Sequence, residues 1–395
     1  MTIFFCLTCL FSNAQTEVDE RAVISFDKGL GFFSPDSAFG LNIRFRMQNR
    51  IGMTTFSGTD LTPASFEANV RRLRLRFDGF IGKTKLTYYL QLSFSRGDQD
   101  WDASGFPGIV RDAMVFYTFS ENFYIGAGQG KLPGNRQRVV SSGQQQFADR
   151  SMVNATFNID RDFGLMAYYS NRLGGVHYNL KSAITTGEGR NIQQTDNGLA
   201  YTARIEILPF GLFKNDGDFS EGDIERQQTP KLSVGAAYSL NKKAVKTSGQ
   251  RGKALTHPTD IENIFVDMIA KYQGWALQFE FANRYSELAV GPVLCLPLTD
   301  PPADEYIFNG HGINTQLSYV FPGLFEIAGR HTLVIPDPAI RNLEPKSRML
   351  TLGLTRYLPT HRNKIQLNLS HLFKDFPDQP SSGNWNVMVQ VELGI

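Results

Sequence analysis

The sequence predicts an all-β fold, a transmembrane antiparallel β-barrel of about 16 strands with short periplasmic turns and long extracellular loops. Three observations predict it. Apolar residues recur on every second position through about sixteen segments, connections between those segments are short and long in turn, and no apolar run of about eighteen residues follows the N-terminus. The alternation is cleanest at the C-terminus, where Trp385, Val387, Val389, Val391, Leu393 and Ile395 share one face and Asn386, Gln390 and Glu392 share the other. Successive strand side chains point to opposite faces, so such a segment has one apolar and one mainly polar wall.

The chain opens with Ile3-Phe4-Phe5-Cys6-Leu7-Thr8-Cys9-Leu10-Phe11, followed by Ser12-Asn13-Ala14. An apolar stretch ending in a small-x-small site reads as an export signal over 1–14, with 15–40 as an N-terminal periplasmic segment and 41–395 as the barrel. Cys6 and Cys9 would leave with the signal, and Cys295 then stands alone, which excludes a disulfide framework and a cysteine-based metal site. The 40 basic and 38 acidic residues leave a net charge of +2, so nothing global draws the chain to nucleic acid.

Along the barrel the first strand sets Leu41, Ile43, Phe45, Met47, Ile51 and Met53 against Asn42, Arg44, Arg46, Gln48 and Arg50. The second sets Leu73, Leu75 and Phe77 against Arg72, Arg74, Arg76 and Asp78, and the third sets Leu86, Tyr88, Leu90, Leu92 and Phe94 against Thr87, Tyr89, Gln91, Ser93 and Ser95. Further copies run through 109–130, 163–185, 201–208, 232–236, 264–281, 313–332, 350–354 and 365–369. Tight turns fall at Gly82-Lys83, Ser120–Asn122, Arg172–Gly174, Gln273-Gly274, Pro322-Gly323 and Pro359–Asn363. Long polar stretches near 54–65, 97–108, 131–160, 186–198, 241–262, 286–311, 336–346 and 373–383 lie between them, and 209–229 is a long connection where a short one is due. Phe119 and Phe123, Tyr272 and Trp275, and Phe321 and Phe325 flank three of the tight turns, where an interfacial aromatic girdle belongs.

Parity also fixes the charge inside. Arg or Lys facing lipid near the midplane costs about 2–4 kcal/mol each. Arg44, Arg46, Arg50, Arg72, Arg74 and Arg76 therefore face the lumen, against Asp78 on the same two strands. Asp112, Glu206, Asp267 and Glu280 face inward elsewhere. The guanidinium fork matches oxyanions bidentately, and rings of Arg and Lys suit an anion path. The 131–160 loop opens on Gly128, Gly130, Pro133 and Gly134, permits a sharp re-entry, and carries Lys131, Arg136, Arg138 and Arg150. It is the candidate constriction. The alternative placement of this loop is on the surface, against lipopolysaccharide or a neighbouring protomer. Gly82-Lys83-Thr84 lacks the first glycine of a phosphate loop, Gly126-x-Gly128-x-Gly130 has the wrong spacing for a dinucleotide site, and Asn215–Asp223 is acidic without calcium-loop spacing.

Several stretches in order carry a resemblance to a known family. They are Val70-Arg71-Arg72-Leu73-Arg74-Leu75-Arg76-Phe77-Asp78-Gly79, Arg111-Asp112-Ala113, Gly128-Gln129-Gly130-Lys131-Leu132-Pro133, Asp149-Arg150-Ser151, Arg161-Asp162-Phe163-Gly164, Gly217–Asp223 and Pro230-Lys231-Leu232. From about Phe26 to the C-terminus the chain resembles the phosphate-selective porins of the O and P type. The resemblance implies a sixteen-stranded trimeric porin whose third long loop folds into the barrel, with basic residues lining an anion path. It departs at Gly130, where the family pattern has Phe, at Pro133-Gly134, which lacks a second Phe, and at Ile395, where Phe is frequent.

The expected role is diffusion of small anionic solutes, with phosphate or polyphosphate among the candidates, across the outer membrane of a Gram-negative bacterium. The other reading is a plugged or structural barrel serving assembly or partner binding. Expected partners are small anions such as phosphate, outer-membrane lipid, lipopolysaccharide, and further copies in a homotrimer. Neither reading calls for a cofactor, a metal or catalysis.

Overall fold

A computed structural model of the protein describes residues 23–26, 29–82, 85–98, 100–101, 107–192, 195, 198–287, 306–358 and 360–395. The leader, Lys83-Thr84, Cys295 and much of the 286–311 connection lie outside these residues.

Sixteen strands close into one antiparallel barrel. In chain order the strands are β1 (Val23–Ser25), β2 (Leu30–Phe33), β3 (Phe39–Thr55), β4 (Pro63–Ile81), β5 (Leu86–Ser93), β6 (Asp100–Trp101), β7 (Pro107–Gly108), β8 (Val110–Ser120), β9 (Phe123–Lys131) and β10 (Arg161–Leu173). They continue as β11 (Val176–Thr185), β12 (Ala200–Leu208), β13 (Lys231–Lys246), β14 (Ala254–Tyr272), β15 (Trp275–Tyr285), β16 (Gly310–Val320), β17 (Phe325–Pro336), β18 (Lys346–Leu358), β19 (Thr360–Asp375) and β20 (Ser382–Gly394). β3–β5 and β8–β20 each pair with their neighbours, and β20 returns to β3 through Gly394↔Arg46 to Asn386↔Thr54. Closure leaves no open sheet edge in the hydrocarbon, where every backbone polar group must be paired.

The faces fall as the alternation requires. Ile365, Leu367, Leu369, Val389, Val391 and Leu393 are exposed on the outside, while Gln366, Asn368, Gln390 and Glu392 between them are buried toward the interior. At the short-turn end Trp275, Tyr319, Phe321 and Phe325 form a continuous aromatic run, with centroids 4.9, 4.8 and 6.1 Å apart. Phe119 stacks on Phe123 at 5.5 Å in the same belt. Amphipathic rings settle at the headgroup level, so this belt marks the periplasmic interface.

One expected loop is largely strand. The 241–262 stretch is a β13–β14 hairpin that stays paired out to Lys246↔Ala254, with irregularities around Ala244. Beyond the bilayer the outer face meets water, as Lys242 and Asp260 do in their exposed 2.6 Å ion pair, while Ala244 and Ile261 stay buried with Ile307. The hydrophobic alternation therefore disappears although the pairing continues.

Two connections fold inward. The 131–160 loop carries the short helices α1 (Arg136–Val139) and α2 (Met152–Phe157), and Ser151 caps α2 by accepting from the Asn154 N–H at 3.1 Å. Leu132, Val153, Phe157 and Ile159 pack with the lumen-facing Phe265, Ala282 and Val334 into an apolar core inside the barrel. The 209–229 connection enters from the periplasmic side and meets this loop, where the Glu221 N–H donates to the Gln144 carbonyl at 2.9 Å. One side of the lumen is therefore filled, and the space that remains lies along β4, β5 and β8–β11.

Candidate permeation site

The filled side is held by a ladder of ion pairs. Lys181 on β11 meets Glu206 on β12 at 2.6 Å, and Arg204 joins Glu206 at 2.8 Å to Asp267 on β14 at 2.7 Å. Asp267 also accepts from Arg136 of the loop at 2.8 Å. Asn135 donates to Glu280 at 2.7 Å, and Gln137 donates to Glu221 at 3.0 Å and to Gln316 at 2.9 Å. Across the lumen the Lys364 Nζ donates to the Gly143 and Gln145 carbonyls, and Arg46 donates to Ser142 at 2.8 Å. Lys271 binds the 209–229 connection through the carbonyls of Gly217 and Gly222, each at 2.7 Å. Of the inward acids expected from parity, Asp267 and Glu280 thus fasten the loop, while Glu206 pairs with Lys181 and Arg204 on the wall and Asp112 with Arg161.

Two cavities lie on the open side. The outer one, 520 Å³, is lined by eight arginines (Arg71, Arg72, Arg74, Arg111, Arg138, Arg150, Arg190 and Arg251) against Asp98, Asp149 and Asp160. The inner one, 1310 Å³, reaches the short turns at Asn122 and Arg172 and includes Arg74, Arg76, Lys131, Arg161 and Lys181. Arg74 lines both. Its Nε donates to Asp98 at 2.5 Å, and Arg111 lies 3.2 Å from the same carboxylate.

The sequence-derived residues have unlike surroundings. Arg72, Arg74, Arg138 and Arg150 line the outer cavity, and Arg74, Arg76 and Lys131 the inner one. Arg44 and Arg76 both pair with Asp78, at 2.9 and 2.8 Å. Arg50 pairs with Asp149 at 2.9 Å, and Arg46 lies 3.9 Å from Glu392. Arg138 pairs with Asp160. Arg136 lies within the ladder, bound to Asp267, Ser233 and the Asp218 carbonyl, and lines neither cavity. Arg72 donates to Gln48 at 2.7 Å, Lys131 to the Val139 carbonyl at 3.0 Å, and Arg150 to the carbonyls of Gln137 and Val140 at 2.6 and 2.9 Å. Among the described residues these last three have no carboxylate within 4 Å.

Parity reasoning missed Arg71 and Arg111, and the reason is local. Between Gln48↔Arg72 and Asn49↔Val70 the register of β4 shifts by one residue, and between Gln91↔Asp112 and Leu92↔Val110 β8 does the same. Each shift is a bulge that skips an arginine and lets it line the outer cavity. The consecutive pairs Arg71-Arg72 and Arg111-Asp112 were visible in the sequence, but strict alternation sends one member of each outward.

The electrostatics of the loop follow from this crowding. Burial, then the like charges of Arg74, Arg161 and Arg46, push the Arg150 guanidinium down to about 9 against the pull of Glu221. It stays charged at neutral pH and is short of counter-charge. Burial would raise the Asp149 carboxyl, but Arg50, then Arg71 and Arg72, hold it down to about 2. A depressed folded-state value means stabilisation present above the ordinary carboxylate value of about 3.9 and lost only as pH falls toward 2. The conductance difference between the wild type and D149N is therefore expected to be the same at pH 4 as at pH 7. A difference that vanishes by pH 4 in planar-bilayer recordings would show that Asp149 is not so held.

A closed sixteen-stranded barrel with an aromatic belt, an infolded loop and a charged lumen defines an outer-membrane porin. The model of the family described as phosphate-selective porin O and P matches residues 42–291, more than half of the chain. The protein belongs to that family and is an outer-membrane protein of a Gram-negative bacterium. An uncharacterised protein of Aquifex aeolicus (strain VF5) is 23% identical over 377 residues, covering 86% of this chain and 84% of its own. Among solved structures, an anion-selective porin from Comamonas acidovorans is similar with a TM-score of 0.56 at 11% identity, over 90% of this chain and 100% of that one. The outer-membrane channel DcaP of Acinetobacter baumannii is similar with a TM-score of 0.53 at 12% identity, over 92% and 99%. The trimer form of OmpT from Vibrio cholerae gives a TM-score of 0.52 at 9% identity, over 90% and 99%.

Proposed function

We propose that the protein is an anion-preferring diffusion pore whose solutes pass from the arginine-lined outer cavity, past Arg74, into the inner one. The observation that carries this is the surplus of arginine over aspartate in the outer cavity, eight against three, in a protein of net charge +2. In a lumen walled by low-dielectric strands that surplus focuses its field on the passage and lowers the barrier that an incoming anion meets. Family membership and the likeness in fold to the anion-selective porin of Comamonas acidovorans support the same reading. The 131–160 loop would be the constriction, with Arg72, Arg138 and Arg150 as its basic face. Phosphate fits the guanidinium forks there as a bidentate ligand.

The working unit is a homotrimer in contact with outer-membrane lipid and lipopolysaccharide, a reading supported by the porin fold and by the trimeric OmpT form. Cleavage after Ala14 would leave 15–40 in the periplasm.

Reconstitution in a planar bilayer tests the proposal. Stepwise conductance is expected, with a zero-current potential of anion-preferring sign in a salt gradient and partial block of chloride current by added phosphate. A cation-preferring sign would overturn it. Silence would favour the plugged, structural barrel, for which the meeting of the two infolded connections at Gln144 and Glu221 is the supporting observation.

A further inference from the structure

The inner cavity has two unlike walls. One is charged, with Arg74, Arg76, Lys131, Arg161, Arg172 and Lys181 against Asp78, Asp112, Asp216 and Asp218. The other is made of Tyr89, Met114, Phe116, Tyr124, Met166 and Tyr168, on β5, β8, β9 and β10. Lumen-facing residues of a water-filled barrel are ordinarily polar, so a patch of rings and thioethers there is a departure.

The rings are arranged, not scattered. Tyr124 and Tyr168 stack with centroids 4.6 Å apart and planes 11° apart. Phe116 stands edge-on to both, at 6.0 and 6.3 Å. Glycines seat them: a Cβ on Gly126 would lie 2.6 Å from the Phe116 ring, and one on Gly130 would lie 2.9 Å from Met114. The Gly126-x-Gly128-x-Gly130 run, without a role as a nucleotide motif, thus clears the floor on which this wall lies. Gly130 is also where the chain departs from the family pattern. Met114 and Met166 are buried against the infolded loop, but Tyr124 is 36% exposed and lines the cavity.

Arg76 joins the two walls. Its guanidinium lies 4.4 Å from the Tyr89 ring centroid, and its side chain is 37% exposed, the most accessible cation of the cavity for which an ion pair is resolved. An anionic group held there lies beside the Tyr89 ring, at the margin of the aromatic wall.

We propose that the inner cavity is a subsite for amphipathic organic anions, in which a ring or alkyl body rests on Phe116, Tyr124 and Tyr168 while a carboxylate or phosphate group meets Arg76 and its basic neighbours. This rests on the anion-pore reading for the route by which a solute arrives, but the binding can be measured separately. Inorganic phosphate has nothing to place on such a wall. Benzoate and phenyl phosphate do.

The test compares benzoate with acetate, and phenyl phosphate with inorganic phosphate, as blockers of chloride current added on the periplasmic side. Each ring-bearing anion should block about tenfold more tightly than its small counterpart, the size of one aromatic contact with its buried area. The variant Y124A/Y168A should bring that ratio to about one while leaving the anion-over-cation preference unchanged, and Y124F should keep it. Isothermal titration of the detergent-solubilised protein with benzoate and acetate reads the same ratio without any current. A silent bilayer with a ring preference by titration would sink the pore reading and leave the subsite standing. Equal block and equal binding by ring-bearing and small anions, or a preference that survives Y124A/Y168A, would overturn the subsite.

Discussion

Replacing Asp267 with Ala is expected to release the infolded loop while leaving the barrel closed. Asp267 accepts from Arg136 at 2.8 Å and from Arg204 at 2.7 Å, and it is 1% exposed. Removing one partner from a buried ion pair leaves an uncompensated charge and costs about 3–5 kcal/mol. Arg204 keeps Glu206 at 2.8 Å, so the orphan is Arg136, left with the Ser233 hydroxyl and the Asp218 carbonyl. The cost therefore falls on the loop. Folded protein should convert to the unfolded band at a lower temperature on electrophoresis, and single channels should become larger and noisier as 131–160 leaves the lumen. Adding Arg136→Leu should recover part of the lost stability, because an apolar replacement of a buried pair is often neutral. Unchanged melting and unchanged conductance in the single variant would show that the ladder does not hold the loop.

The second large effect concerns selectivity. Arg72 and Arg150 line the outer cavity with no carboxylate within 4 Å among the described residues, so R72Q and R150Q remove charge without stranding a buried acid. Arg74 and Arg138 differ, since each is held in an ion pair, with Asp98 and Asp160. A unit charge ~8 Å from the path in a water-like lumen is worth ~0.5 kcal/mol to a passing anion and the reverse to a cation. The anion-to-cation permeability ratio should therefore fall about fivefold per charge at low salt. In 1 M salt the screening length is about 3 Å, and wild type and variants should converge. A ratio that does not respond to either substitution at 0.1 M would place the selectivity elsewhere.

Much of the barrel was legible because lipid enforces it. Each strand face must be apolar outside, so parity located the outward Leu, Ile and Val of β18–β20 and the inward Arg72 and Arg74. What lies inside the lumen meets no such rule. A one-residue bulge costs little there, which is how Arg71 and Arg111 escaped notice. The inward course of 209–229 depends on Lys271 reaching the carbonyls of Gly217 and Gly222, and those backbone groups leave no trace in side-chain pattern. Phe116, Tyr124 and Tyr168 fall on lumen positions that a polar-in rule leaves unexplained. The inward acids were found, but which of them anchor the loop depends on the partner each one meets across the barrel.

The joint between the first and last barrel strands has its own consequence. β20 stops at Gly394 opposite Arg46, the Ile395 N–H donates to the Phe45 carbonyl at 3.0 Å, and the same edge of β3 is then taken by β2, from Leu30 opposite Ile43. The two segments sit end to end in one groove, like a drawer against its stop. A slip of the closing strand toward the periplasm by one pair of residues, the smallest that keeps its greasy face outward, would drive Ile395 into Leu30. Such a slip would change the barrel's shear, to which its width and strand tilt are linked, and the N-terminal segment occupies the place that the shifted strand would need.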